Sequence, residues 1–175
     1  MKLHVGAGGA YIHGWINVDI FSNIRADVYS NALALPYDRC TFDLIYASHV
    51  LEHFNRHLIQ AALGHWRDLL KPGGILRLSV PDFKAVCNRY STTGNLKELL
   101  GLLYGRQDSF LNVHQVAFDK ETLDEALCAV GFKTVRLWDW RSTEHTSYDD
   151  YSQAYLPHMD KDNGMHMSLN IEAVK

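Results

Sequence analysis

Residues Leu3–Ile20 read LHVGAGGAYIHGWINVDI. A short apolar run, a cluster of glycines, a turn, a second apolar run and an aspartate follow one another in this stretch. Lys2–Ala7 has the pattern of one strand and Trp15–Ile20 that of a second. Glycine takes positive φ without strain and lets a ligand reach the backbone. In an open parallel sheet, ligands sit beyond the carboxyl ends of the strands. Gly6, Ala7 and Gly8 stand at the end of the first strand, and Asp19 stands at the end of the second. A carboxylate there can accept hydrogen bonds from both hydroxyls of a ribose, so a nucleoside-containing cofactor is the expected ligand. A dinucleotide site would need a third glycine where Tyr11 stands, and a helix to receive the pyrophosphate. Ala10–His13 is too short for that helix, so a cofactor without a diphosphate fits better.

The rest of the chain alternates between strand-like and helix-like segments, which predicts an α/β fold around a mostly parallel sheet. Ala26–Tyr29, Phe42–Ser48 and Ile75–Val80 read as further strands, the second being apolar enough to lie in the sheet centre. Leu58, Ala62, Trp66, Leu69 and Leu70 form a helical stripe, and Lys71-Pro-Gly-Gly74 is expected to stop that helix with a glycine cap. Asp119 is the expected N-cap of a later helix, with Phe118 and Leu123 as a hydrophobic staple and Gly131 as its end. Thr134–Trp138 and Ser168–Val174 read as the last strands. Lys84–Val116 is expected to hold one helix near Leu96–Tyr104 within irregular chain, and Asp139–Met167 is a long polar connection with the character of a substrate cover.

Composition narrows the function. The 175 residues carry a formal net charge of −3, with lysine and arginine scattered, which argues against a nucleic-acid partner. No apolar run nears the ~18 residues of a membrane span. Three widely spaced cysteines form no CxxC and read as reduced thiols. With no secretory leader in view, a cytoplasmic enzyme is expected.

From Leu33 the chain reads LALPYDRCTFDLIYASHVLEHF, and from Leu69 it reads LLKPGGILRLSVPDF. Together with GAGG…NVD, these blocks in this order resemble the class I S-adenosylmethionine-dependent methyltransferases. The resemblance spans roughly residues 2–83, and AFDKETLDEALCAVGFKTV adds a late helix and strand. GWINVD is also similar to a subgroup associated with surface-polysaccharide and sugar-nucleotide pathways. The resemblance implies one domain over 1–175 with insertions near 84–116 and 139–167. Its fold would be Rossmann-like, with helices on both faces and an antiparallel last strand. The implied cofactor is S-adenosyl-L-methionine. Gly6, Ala7 and Gly8 would contact its methionine end and ribose, Asp19 would hold the ribose hydroxyls, and Ile20 would pack on the adenine. Asn31 and Ala32 would meet the adenine amino group, and Ser48 and His49 would border the sulfonium and substrate. His4 stands where the family often has an acidic residue, so that contact is not expected here. The first strand starts at Lys2, so cover for the cofactor is expected from 84–116, from 139–167 or from a second subunit in a homo-oligomer.

Methyl transfer to an alcohol needs a base for the departing proton. His114 is the first candidate and Asp82 the second, with His49 and, from the long connection, Tyr148, Asp149 and Asp150 behind them; each also has a plain structural alternative as a helix cap, a surface residue or a satisfied hydrogen-bond partner. His49, His53 and His57 fall four residues apart, but Glu52 is not placed as in HExxH and no fourth ligand is implied, so no metal site is expected from them. A divalent ion held by histidine and aspartate from the insertions is the other metal option. The expected activity is O-methylation of a small polar acceptor, a sugar or sugar nucleotide, with no membrane partner. The alternatives are a non-catalytic cofactor- or partner-binding module and a nicotinamide-dependent oxidoreductase.

Overall fold

A computed structural model of the chain describes residues 1–175. Seven strands form the main sheet: β1 Lys2–Val5, β2 Ile16–Asp19, β3 Val28–Tyr29, β4 Phe42–Ser48, β5 Leu70–Pro81, β6 Thr134–Leu137 and β9 Ser168–Val174. Their spatial order is β3-β2-β1-β4-β5-β9-β6. All pairs are parallel except those of β9, which runs antiparallel to both β5 and β6. Strands β7 Tyr155–Leu156 and β8 Met165–His166 form a separate antiparallel hairpin. The helices are α1 Ile59–Leu69, α2 Phe83–Thr93, α3 Leu100–Tyr104 and α4 Lys120–Ala129. This is the expected Rossmann-like architecture with an antiparallel last strand. None of the helices is long and apolar enough to cross a membrane. The three cysteines are unpaired and exposed.

Alternation along each strand divides the sheet into two unlike faces. Leu3 and Val5, Ile45 and Ala47, Leu76 and Leu78 join Trp66 of α1 and Leu123 and Leu127 of α4 in the main core. The opposite face carries His4, Asn17, Tyr46, Arg77, Ser79, Asn170 and Glu172, all buried. Its roof is largely the connection after β6. Trp138 donates its indole N–H to Leu78 O, the His145 ring lies 4.3 Å from that of Tyr46, and Tyr46 donates its hydroxyl to Asp150. Glu172 binds Arg77 at 2.6 Å and Arg136 at 3.0 Å, tying three strands together. Both the polar and the apolar positions of β9 are therefore buried.

Several local expectations shift. Leu58 is exposed, and the buried stripe of α1 is Ile59, Ala62, Leu63, Trp66 and Leu69. That helix ends without a glycine cap: Leu70 is already extended and opens β5. Lys71-Pro-Gly-Gly74 lies inside the strand, where pairing with β4 slips between Phe42 and Leu44. A side chain at Gly74 would stand 2.9 Å from Lys71 O and 3.1 Å from Phe42 O, so the backbones can meet only there at glycine. The N-cap of α4 is as expected, with Asp119 and Thr122 forming a capping box and Gly131 following at positive φ. The insertion near 84–116 holds α2, which the sequence did not suggest, and the Leu96–Tyr104 segment splits into a 3₁₀ turn and α3.

Candidate functional site

The site lies beyond the carboxyl ends of β1, β2 and β4. Gly6 and Ala7 both donate backbone N–H groups to Val18 O, at 2.8 and 3.0 Å, which folds the glycine elbow over the end of β2. Gly6 has φ +71, and a side chain there would run into Val50 at 2.3 Å. Gly8, also at positive φ, donates its N–H to Asp19 Oδ2 at 2.9 Å, and Phe21 N–H donates to Asp19 Oδ1 at 2.9 Å. These two bonds fix the carboxylate. A carboxylate has about four acceptor positions, so two remain for the hydroxyls of a ribose. No atom lies within 4 Å of where a side chain at Gly9 would sit, so a ligand can approach this backbone closely. Ile20 and Phe21 are exposed apolar side chains directly after Asp19 and can cover a base. A cleft of about 530 Å³ opens beside the elbow, bordered by Gly8, Gly9, Asn23, Arg25 and, from the long connection, Ser147 and Tyr148. The Tyr148 hydroxyl accepts a hydrogen bond from His13 N–H, holding that connection against the elbow. No helix follows the glycines, as their spacing indicated. These residues fit a nucleoside-bearing cofactor.

Other expected residues have partners of their own. Asn31 is exposed and its side-chain oxygen accepts from Leu33 N–H, while Ala32 O accepts from the Trp66 indole. His4 is turned into the polar face, stacked on Tyr46 and bonded to Asn17. Asp82 caps α2 by accepting from Lys84 N–H and shares no ion pair or hydrogen bond with His49 or His114.

At the end of β4 the structure gathers a second group of residues. Ser48 is half-buried with its hydroxyl unpartnered, and His49 follows with φ +52, an uncommon conformation for a residue with a side chain. The ring of His49 lies 5.2 Å from that of Tyr151, which is exposed. Its Nε2 is 3.0 Å from Ser168 Oγ, and Ser168 donates its one hydroxyl proton to Tyr151 O. Ser168 must therefore accept from Nε2–H, which leaves the lone pair of neutral His49 on Nδ1. That atom is 3.3 Å from Glu52 Oε1. Glu52 is wholly buried, and burial pushes its carboxyl group up to about 8. Burial likewise pushes His49 down to about 3, with the neighbouring histidines adding to the effect. Nε2 of His114 lies 3.9 Å from the same Glu52 oxygen, and burial lowers the pKa of this ring too. His114 and His49 thus converge on Glu52, which the sequence reading considered only for an HExxH motif. Its only signal was a charged residue between Leu51 and His53. Ser168 and Tyr151 were also missed, because they come from β9 and from the long connection, far along the chain.

The description "Methyltransferase domain" belongs to the family model that matches residues 9–137, more than half of the chain. The chain belongs to this methyltransferase family. It is an enzyme of the methyltransferase class. No curated protein matches it at a significant level. Solved structures share the methyltransferase fold. A SAM-dependent methyltransferase from Archaeoglobus fulgidus has 16% identity and TM-score 0.62, over 99% of this chain and 85% of the other. One from Mesorhizobium loti has 16% identity and TM-score 0.60, over 99% and 90%. The 1,6-didemethyltoxoflavin-N1-methyltransferase of Burkholderia thailandensis, solved with S-adenosylhomocysteine, has 17% identity and TM-score 0.60, over 99% and 70%.

Proposed function

We propose that this methyltransferase acts on a hydroxyl group of a small polar acceptor, a sugar or sugar nucleotide. When bound, S-adenosylmethionine supplies a methyl group already activated on a sulfonium. What remains for the protein is to hold both reactants in line and to accept a proton. Gly6, Ala7, Gly8, Asp19 and Ile20 take the cofactor in this reading, with Ser48 near its reactive end and Asn31 and Ala32 at the adenine side.

The observation that carries the acceptor assignment is His49. A neutral amine attacks through a lone pair it already has, whereas a hydroxyl must shed its proton. His49 is held neutral, its Nε2–H is engaged by Ser168, and its Nδ1 carries the lone pair. His49 accepts the hydroxyl proton, with the Glu52 carboxyl group standing 3.3 Å from Nδ1. His114 supports Glu52 from the other side, and Asp82 orders the chain after β5. Tyr151 offers an exposed ring beside His49, flanked by hydrogen-bonding groups. That combination suits a sugar, which has apolar C–H faces and a rim of hydroxyls.

Labelled S-adenosylmethionine and a panel of sugars, sugar nucleotides, amines and peptides test the proposal. Label is expected on a sugar hydroxyl, and His49→Asn is expected to lower kcat by ~10²–10⁴-fold with cofactor binding retained. Asparagine tolerates the left-handed backbone of this position. Turnover confined to amines or peptides overturns the acceptor class. Cofactor binding with no turnover on any acceptor favours a binding module instead.

A further inference from the structure

We propose that Glu52, His53 and His114 form a binding site for a divalent first-row transition-metal ion such as zinc, manganese or cobalt. One ligand atom from each of the three lies within 4.8 Å of the others. The edge of a tetrahedron with ~2.1 Å bonds is ~3.4 Å, so side-chain adjustments of about an ångström close the set around an ion.

Two independent features point to a cation. Glu52 is wholly buried, yet neither of its carboxylate oxygens has a hydrogen-bond partner. A buried acid left without partners is costly, and a ligand that binds it offsets that cost. The histidines, in turn, are oriented from behind. His53 Nδ1 lies 3.2 Å from Val113 O, and His114 Nδ1 lies 2.9 Å from Leu102 O. A carbonyl can only accept, so both rings carry their proton on Nδ1 and keep a lone pair on Nε2. A backbone carbonyl behind the non-ligating nitrogen is the usual device that sets the tautomer of a metal-binding histidine. The segment holding His114 is itself pinned to the Glu52 segment, since Gln115 and Val116 donate their N–H groups to Glu52 O.

Two imidazoles and one carboxylate select transition metals over calcium or magnesium, which favour all-oxygen sites. The histidine trio in the sequence pointed elsewhere: His57 is exposed, and Glu52 with His114 takes its place. For its role, though not for its existence, the site rests on the proposed O-methylation. An ion there displaces the Glu52 proton and binds the acceptor oxygen. It also lowers the pKa of the hydroxyl that His49 deprotonates.

The test uses the full chain freed of metal by a chelator and titrated with Zn²⁺, Mn²⁺ or Co²⁺ alone. Calorimetry and the visible spectrum of the Co²⁺ form report binding, and binding of S-adenosylhomocysteine checks the fold. One ion per chain is expected, with proton release. Glu52→Gln and His114→Asn are each expected to weaken binding by ~100-fold or more with S-adenosylhomocysteine still bound. If Glu52→Gln fails to fold, His53→Asn takes its place. Absence of stoichiometric binding by all three ions overturns the site, as does binding that these variants leave unchanged. Metal binding by a chain that methylates no hydroxyl supports the site while removing the function proposed above.

Discussion

Asp19 is the residue on which cofactor binding turns. Its carboxylate is clamped by Gly8 N–H and Phe21 N–H, so it is already aimed when a ribose arrives. Each hydrogen bond to a charged group contributes about 1.5–3 kcal/mol. Removing two is expected to weaken S-adenosylhomocysteine ~100-fold or more, and calorimetry of Asp19→Ala measures it; an unchanged Kd contradicts the ribose role. The elbow and this aspartate were legible because backbone geometry and ligand chemistry both demand particular residue types there. Glu52 was not, because nothing in a local pattern says that a glutamate will be buried. Its neighbours His49 and His53 are close in sequence, but His114 reaches it, and Ser168 reaches His49, only in the folded chain.

Among the elements, α4 was readable at both ends because caps are local. Replacing Asp119 with alanine removes the acceptor for Thr122 N–H and is expected to cost about 1 kcal/mol, measured as a lower urea midpoint with unchanged slope. Helix α2 was hidden for the opposite reason. Only Ala85 and Val86 of its residues are buried, so no apolar stripe announces it, and Asp82 read as a candidate base rather than a cap. Strand β9 was read at its observed bounds, yet its polar positions are buried along with its apolar ones. There Glu172 joins Arg77 and Arg136 across three strands. Glu172→Ala leaves the buried Arg77 with Glu144 alone and is expected to destabilise by ~3 kcal/mol, the low end for a broken buried pair. A loss under ~1 kcal/mol in urea unfolding would show that Glu144 suffices.

For the molecule as a whole, the mostly parallel sheet followed from the alternation of strand-like and helix-like segments, and the antiparallel last strand from the family resemblance; the strand order came only with the structure. So did the polar roof, since its contacts join Tyr46 to Asp150 and Arg77 to His145 over long stretches of chain. That roof has a pH signature. Seven of the ten histidines have folded pKa values below their ordinary value, mainly through burial. His145 is pushed down to about 4 by burial and by Arg77. Below the unfolded value of ~6.5, the unfolded chain binds more protons than the folded one. The histidine contribution to stability is therefore full above ~6.5 and is lost as the pH drops toward about 4, whereas the contribution of Glu52 is lost as the pH rises through about 8. Urea titrations across this range are expected to show the decline, and His145→Phe, which keeps the aromatic packing, to make it shallower. An unchanged slope in the variant would remove His145 from the account. The placement of β9 between β5 and β6 also orders events during synthesis. A ribosome that has released everything up to Met167 has released β6 with no neighbour to join. When residues 168–174 emerge they dock two strands at once, so the nascent chain gains its far sheet edge in a single late step.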